Sequence, residues 1–340
     1  MTDQPASAER IAGALLGVHA GDALGATLEF RSWQAVRAEY PGGLCEIVGG
    51  GPFDWPPGHA TDDTDLTRAV LLAYLDAGAA RLAAPGPGAP DSAGCDSAFD
   101  VVRAAADYML AWLDGDWPGR EPGSWPRDIG GATSQGLERY RRGQDPRASG
   151  AGQGQAGNGS LMRCIPTALA VTDRQRRLRE SAELSAITHD DDRATAACAA
   201  YNEIVAALLT GASPAAAVTA GLVTAAELGS QPVADAVAVG QRLQPAAMAA
   251  TGEIPLHGKA AGYVLESLSL AVAAVLDPRP LPDVLIDIVR LGNDTDTNAA
   301  IAGGLLGARD GANAIPARWT AVLQFAAEFA AAAQVLASRW

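Results

Sequence analysis

Rows of glycine at a spacing of four residues constrain the fold of this chain more than any other feature. The first row lies within residues 8–25, whose apolar pattern predicts a helix, at Gly13, Gly17, Gly21 and Gly25. Residues four apart share one helix face, and each glycine inside a helix costs about 1 kcal/mol, so the row needs a structural reason. A second row near the C-terminus has the same spacing, at Gly303, Gly307 and Gly311. We therefore expect the two helices to cross with their backbones in close contact.

The same spacing occurs where transmembrane helices dimerise, but His19 and Asp22 interrupt the first row. No apolar run reaches membrane-spanning length without a charge or a turn. The N-terminus lacks the basic and apolar segments of a signal peptide. The four cysteines lie far apart and form no C-x-x-C pair, which indicates neither a zinc site nor a disulfide framework. We expect a monomeric, cytoplasmic protein that does not bind membranes.

Composition favours an all-α fold. Aromatic residues make up 5% of the chain and hydrophobic residues 48%, with alanine and glycine dominating, which suits closely packed helices. The apolar segments have helical period and length, and they predict about ten or more helices in a single domain over residues 1–340. Residues 79–97, rich in Ala, Pro, Gly and Asp, predict a flexible surface loop within it. The net charge of −14 argues against nucleic-acid binding.

Two acidic clusters, far apart in the sequence, each open an apolar helix. The first is HATDDTD at residues 59–65 and the second is LGNDTDTN at residues 291–298. Asp and Thr are common N-cap residues, so capping alone explains either cluster taken singly. Adjacent carboxylates repel one another unless they are protonated or bridged by a cation, and hard divalent cations prefer carboxylate and hydroxyl oxygens. The pair of clusters therefore predicts one metal site shared by two helix N-termini.

Four further residues and one segment are candidates, each with an ordinary structural alternative. Glu29 is either a buried acid with a raised pKa or a surface carboxylate, and Asp128 is either a site residue or a helix cap. His189, beside three acids, is a metal ligand, a substrate contact or a capping group. Tyr263 either stacks on a ring or packs in the core. The glycine-rich segment 143–160 is either a flexible loop or a phosphate-binding backbone.

Five segments in order resemble the ADP-ribosylglycohydrolase family. They are GDALGATLEF at 21–30, TDDT at 61–64, GNGSLMR at 157–163, ITH at 187–189 and GNDTDT at 292–297. Each segment is weak evidence alone, but five in the family's order span most of the chain and are specific together. The first segment, and the glycine loop at 49–51, look most like the bacterial glycohydrolases that activate dinitrogenase reductase.

The resemblance implies an all-α fold, a single orthogonal bundle of helices around a central cleft that holds two divalent cations, Mg²⁺ or Mn²⁺. It implies an enzyme that removes ADP-ribose from ADP-ribosylated protein side chains, most simply from arginine. Carried onto matching positions, the metal ligands are Thr61, Asp62, Asp63, Asp294, Asp296 and Thr297. The substrate contacts are Asn158, Gly159, Ser160, His189 and Tyr263. The catalytic candidates are Glu29, Asp128 and Asp63.

Some features leave alternatives open. Because ADP-ribose is an anion, we expect cations, backbone N–H groups and Arg163 to offset its charge. Gly131 and Ala132 stand where polar residues would offer more substrate contacts, so a serine-linked or other O-linked substrate is an alternative to arginine. A non-catalytic ADP-ribose binder is a second alternative, although both acidic clusters are complete. A helical metal phosphohydrolase using His189 and Asp190 is a third, although no further His and Asp sit in a convincing helical setting.

Overall fold

The computed structural model describes residues 7–83 and 99–340, and its regular elements there are sixteen α-helices. The first eight are α1 Ser7–Gly25, α2 Trp33–Glu39, α3 Asp62–Ala83, α4 Val101–Leu113, α5 Gly131–Gly143, α6 Ile165–Ala170, α7 Arg174–Ala186 and α8 Asp192–Leu209. The others are α9 Pro214–Glu227, α10 Gln231–Gly240, α11 Pro245–Thr251, α12 Val264–Leu276, α13 Leu281–Val289, α14 Thr295–Asp310, α15 Ala317–Thr320 and α16 Ala326–Ala337. Short 3₁₀ turns lie at Pro146–Ala148 and Ala312–Ala314.

Helices α1 and α14 cross at the centre of the molecule in direct backbone contact. A Cβ atom added at Gly17 would lie 2.1 Å from the Gly303 carbonyl oxygen, and one at Gly307 would lie 1.9 Å from the Gly13 carbonyl oxygen. Neither position can therefore hold a side chain without moving the opposite helix. The predicted crossing is confirmed, and the two glycine rows are its cause.

The remaining helices surround this central pair. Helices α8, α12 and α13 pack against α14, while α3 and α16 pack against α1. Buried apolar side chains from Ile11 to Leu336 form one hydrophobic core cluster. In the described residues β pairing is limited to three isolated bridges, Ser32–Gly292, Gly50–Trp55 and Gly157–Tyr263. The all-α prediction is confirmed.

Helix α3 shows where the predicted loop differs from the structure. The helix continues to Ala83, so residues 79–83 are helical rather than part of a loop. The rest of that segment, 84–97, lies outside the described residues. The next helix begins after Asp100, whose carboxylate accepts the N–H groups of Val102 and Arg103 at 3.1 and 3.2 Å. Among the described helices, none combines the length and the apolarity that crossing a membrane requires.

Candidate active site

The C-terminal end of α1 holds the beginnings of both acidic helices. Asp22, fully buried in α1, accepts the backbone N–H groups of Thr61 and Thr64 at 3.1 and 3.2 Å, together with the Thr64 hydroxyl. The Thr295 hydroxyl donates to the Gly25 carbonyl oxygen at 2.7 Å. One end of one helix therefore fixes the N-termini of α3 and α14 side by side.

The two acidic clusters meet at this point. The Thr297 hydroxyl at the start of α14 donates to Asp63 Oδ2 of α3 at 3.3 Å. Glu29, Asp128 and Asp296 each place one carboxylate oxygen so that all three lie within 4.8 Å of one another. Residues from four separate stretches of sequence therefore form one group of carboxylates, and the two acidic clusters meet in it.

Capping does not account for most of these acids. Asp294 is the N-cap residue of α14 but makes no side-chain cap bond; its Oδ2 accepts the Asn158 amide at 2.7 Å instead. Asp128 precedes the N-cap of α5 rather than serving as it. Thr61 does cap, because its hydroxyl accepts the Asp63 N–H at 3.3 Å. The surplus of carboxylates over capping needs indicates a ligand site.

Crowding in this buried place raises the pKa of every acid in the group. Burial, and then the charges of Asp128, Asp294 and Asp22, raise the pKa of Glu29 to about 9. Burial and the Asp294 charge raise the pKa of Asp128 to about 6. Burial and neighbouring carboxylates raise the pKa of three further acids well above the ordinary range, at Asp62, Asp63 and Asp296.

Several carboxylate oxygens in the group are buried and have no hydrogen-bond partner. They are Glu29 Oε2, Asp63 Oδ1 and Asp22 Oδ1. An unpaired buried carboxylate oxygen is costly, so this arrangement needs added protons or added cations. Glu29 is 5% exposed, so its alternative interpretation as a surface carboxylate is wrong.

A cleft of about 620 Å³ opens beside the carboxylates. Its wall includes Asp62, Asp128, Asp294 and Thr297 together with Asn158, Gly159 and His189. A Cβ atom added at Gly159 would lie 2.9 Å from His189 Cε1, so glycine is needed there to leave the ring in place.

His189 is a neutral member of this wall. Burial, and then the nearby Arg163 charge, lower the pKa of His189 to about 3. Its Nδ1 pairs with the Thr188 hydroxyl at 2.8 Å, while the neighbouring Asp190 carboxylate accepts the Gly152 N–H elsewhere. This arrangement favours a substrate contact over a metal ligand, and it gives no support to a His–Asp phosphohydrolase pair.

Two predicted substrate contacts are not among the lining residues of the cleft. The Ser160 hydroxyl is buried behind the loop, where it accepts the Ser185 hydroxyl at 2.8 Å. The Tyr263 hydroxyl lies 3.4 Å from an Arg193 nitrogen. The backbone of Tyr263 nevertheless forms a bridge with Gly157, so it helps to position the glycine-rich loop.

The expectation that Arg163 offsets substrate charge is wrong. Its guanidinium is buried and donates to the Thr188 hydroxyl at 2.7 Å and to the Leu184 carbonyl oxygen at 3.2 Å. Among the described residues that line the cleft, none is an arginine or a lysine. Any anion held there therefore needs other sources of positive potential.

One such source was not anticipated from the sequence. The N-terminus of α5 forms part of the cleft wall, from Gly130 to Thr133, and its N-cap Gly130 makes no side-chain cap bond. Free N–H groups at a helix N-terminus attract anions. Thr133 Oγ1 is buried beside Gly159 and has no hydrogen-bond partner. The small residues after Asp128 were the available signal, because they leave this helix end open.

Known proteins match the chain over almost its whole length. A sequence profile described as ADP-ribosylglycohydrolase matches residues 3–340. The ADP-ribosyl-[dinitrogen reductase] glycohydrolase of Rhodospirillum rubrum is 29% identical over 325 residues, covering 95% of this chain and 93% of the relative. The ADP-ribosylarginine hydrolase Tri1 of Pseudomonas putida (strain GB-1) is 28% identical over 340 residues, covering 97% and 78%.

A solved structure agrees with these relatives. It is titled ADP-ribosylglycohydrolase-related protein complex and is 28% identical, with a TM-score of 0.74 and 98% of both chains covered. The fold and its relatives together define an enzyme that hydrolyses a glycosidic bond. The chain belongs to the ADP-ribosylglycohydrolase family, and the resemblance found in its motifs is confirmed.

Proposed function

We propose that the protein is a divalent-cation-dependent hydrolase that removes ADP-ribose from ADP-ribosylated arginine side chains. The observation that carries the proposal is the meeting of two acidic helix N-termini at one cleft, marked by the 3.3 Å contact between Thr297 and Asp63. Helix capping alone does not account for so many carboxylates in either cluster. Together they provide oxygen ligands from two sides of a single site.

The residues present suit a pair of hard divalent cations, Mg²⁺ or Mn²⁺. The donors are carboxylates and threonine hydroxyls, which such ions prefer. Two of the acids, Glu29 and Asp63, have buried oxygens without a partner, and the mutual repulsion of the group is what cations would relieve. The ligands we assign are Thr61, Asp62, Asp63, Asp294, Asp296 and Thr297. When bound, the cations would supply the positive charge that fixes and polarises the ribose hydroxyls.

ADP-ribose fits the rest of the cleft. The open N-terminus of α5 presents N–H groups to a diphosphate. Gly159 lies beside it, since a Cβ atom added there would lie 3.2 Å from Thr133 Oγ1, and Asn158 lines the same cleft. The His189 ring lines the cleft beside Gly159, so we assign it to contact the ligand rather than the cations. Ser160 and Tyr263 contribute through their backbone and by positioning the loop, because their side chains are directed elsewhere.

The reaction replaces the bond between the anomeric carbon and the guanidine nitrogen with a bond to a water oxygen. The electron pair of the broken bond goes to the nitrogen, and a proton from the water must finally reach the departing guanidine. We assign the handling of that proton to Asp128, which lines the open side of the site and whose pKa is raised to about 6. Glu29, which is more buried than Asp128, orients the neighbouring carboxylates, and Asp63 acts as a metal ligand. The developing charge on the sugar resembles that in other glycosidic hydrolyses.

Arginine is preferred over serine as the linkage for two reasons. Relatives that cover most of this chain include a protein described as an ADP-ribosylarginine hydrolase. The carboxylates around the site also suit a basic leaving group, which a serine hydroxyl is not.

A release assay tests the proposal. Purified protein stripped of metal, then supplied with Mg²⁺ or Mn²⁺, is given ADP-ribosyl-arginine and ADP-ribosyl-serine peptides. We expect metal-dependent release of ADP-ribose from the arginine peptide, and loss of that release in Asp296→Ala. Preference for the serine peptide would overturn the arginine assignment. Binding of ADP-ribose without release from either peptide would favour a non-catalytic binder.

A further inference from the structure

A second cavity adjoins the carboxylates on the side away from the ADP-ribose contacts. It has a volume of about 630 Å³ and shares Asp62 and Asp128 with the cleft. Its other walls come from the loop before α3, which includes Trp55, from Trp112 of α4, and from residues 119–127, which include Trp125. We call this cavity the tryptophan pocket. Because Asp128 separates the two cavities, a substrate held at the carboxylates can extend into both.

Exposed aromatic rings gather around the mouth of this pocket. Trp125 is 55% exposed and Phe30, which lines the cleft, is 67% exposed. The ring of Phe53 connects Phe30 to the pocket, because it lies 6.2 Å from the ring of Phe30 and 6.2 Å from that of Trp55. Clustered exposed aromatic residues indicate a binding surface. Here they form a row that runs from the cleft to the tryptophan pocket.

The charges of the pocket suit a basic ligand. Its acidic lining residues are Asp62, Asp65, Glu121 and Asp128. Asp65 is engaged with the protein, because its two oxygens accept the indole N–H groups of Trp112 and Trp117 at 2.8 Å, which leaves Asp62, Glu121 and Asp128 for a ligand. Its two arginines are engaged with the protein itself: Arg120 donates to backbone carbonyl groups, and Arg127 donates to the Asp54 carbonyl oxygen at 3.1 Å. The Arg127 guanidinium carbon lies 5.6 Å from the centre of the Trp55 ring, so the aromatic wall already accepts a guanidinium face.

We propose that the tryptophan pocket binds the acceptor side of the substrate, namely the modified arginine and the protein segment that carries it. The inference rests on the proposed function, since ADP-ribose in the cleft places the bond to be broken beside Asp128. The leaving guanidine then points past Asp128 toward the pocket. Trp125 stacks on the flanking segment, and Glu121 pairs with a basic residue near the modified arginine. The partner is therefore a protein modified on an arginine in an exposed, basic segment.

The test compares two substrates that differ in the flanking segment alone. Steady-state rates are measured with an arginine-ADP-ribosylated protein and with free ADP-ribosyl-arginine, for the wild type and for Trp125→Ala. We expect the ratio of the KM for the protein to the KM for the free compound to rise about tenfold in the variant, because truncating an interface tryptophan commonly costs that much. The kcat values for the two substrates should change by less than about twofold.

Three further variants sharpen the result. Trp125→Phe keeps an aromatic ring, so its KM ratio should stay close to that of the wild type. Glu121→Gln should raise the KM ratio, as Trp125→Ala does. Phe99→Ala, at another exposed aromatic residue outside both cavities, should leave the ratio unchanged. An unchanged ratio in Trp125→Ala, or an equal rise in both KM values, would overturn the pocket assignment while leaving the proposed function intact. Failure of the wild type to cleave either substrate would overturn both.

Discussion

Glu29→Gln should stabilise the protein in the absence of metal, although it replaces a residue of the active site. The pKa of Glu29 is raised to about 9, from an ordinary value of 4.5. A carboxyl whose pKa is higher in the folded state takes up a proton on folding at any pH between these two values. The resulting cost is absent below about pH 4.5 and grows as the pH rises. Since pH 7 lies 2.5 units above the ordinary pKa of 4.5, the cost at pH 7 is about 3 kcal/mol, at about 1.36 kcal/mol per unit.

The free energy of unfolding measures this cost directly. Urea titrations in a metal chelator, at pH 4.5 and pH 7, should show E29Q equal to the wild type at the lower pH and more stable by up to about 3 kcal/mol at the higher. Glu253→Gln, at an exposed glutamate, is the matched control and should show no such change. Saturating Mg²⁺ should narrow the difference at pH 7, since it stabilises the wild type more. A difference independent of pH would refute the reasoning that crowded carboxylates destabilise the metal-free fold.

Three further predictions concern the parts that build the site. Gly17→Ala should lower the free energy of unfolding by about 2 kcal/mol or more, because its Cβ would overlap the α14 backbone. The control, Gly143→Ala, has open space around the added methyl and should not lower the free energy of unfolding. Chemical denaturation compares the two variants. Asp22→Asn should weaken Mn²⁺ binding about tenfold or more, since its carboxylate holds the start of α3; unchanged affinity in a metal titration would contradict that role. Gly159→Ala should raise the KM for ADP-ribosyl-arginine about tenfold while its effect on kcat stays smaller, because the added methyl displaces the His189 ring; equal losses in both constants would count against a substrate-binding role.

The central helix crossing was predictable because its cause is local in the sequence. Glycine rows are costly in a helix unless another backbone approaches closely, so the rows in α1 and α14 pointed directly to a close crossing. The acidic site was predictable for a similar reason. Carboxylates crowded at two helix N-termini exceed what capping requires, and their chemistry leaves cations as the simplest partners.

Side-chain direction was not predictable in the same way. Ser160 and Tyr263 stand at positions that match the family, but the Ser160 hydroxyl pairs with Ser185 and the Tyr263 hydroxyl lies near Arg193, and neither residue lines the cleft. Arg163 was expected near substrate and instead satisfies carbonyl and hydroxyl oxygens in the core. These outcomes depend on how neighbouring helices pack, which no spacing within a motif encodes.

The tryptophan pocket illustrates the same limit at a larger scale. Trp55 and Trp125 are separated by an entire helix pair in sequence, and ordinary loop packing is the commoner role for such residues. Their joint placement beside Asp128 arises from the way α3 and α4 pack together. A sequence pattern indicates which residues a loop contains. Whether two loops enclose a cavity depends on how the helices that carry them pack together.

Binding of Mn²⁺ to the wild type and to two variants tests the central claim most directly. Asp63→Asn alters the start of α3, and Asp296→Asn alters the start of α14. The two substitutions lie on different helices, but both should affect the same metal site. Electron paramagnetic resonance titration should show two bound ions per chain in the wild type, with both ions weakened at least about tenfold in each variant. Wild-type binding by either variant would show that the two helix N-termini do not hold the same ions, and it would contradict the account.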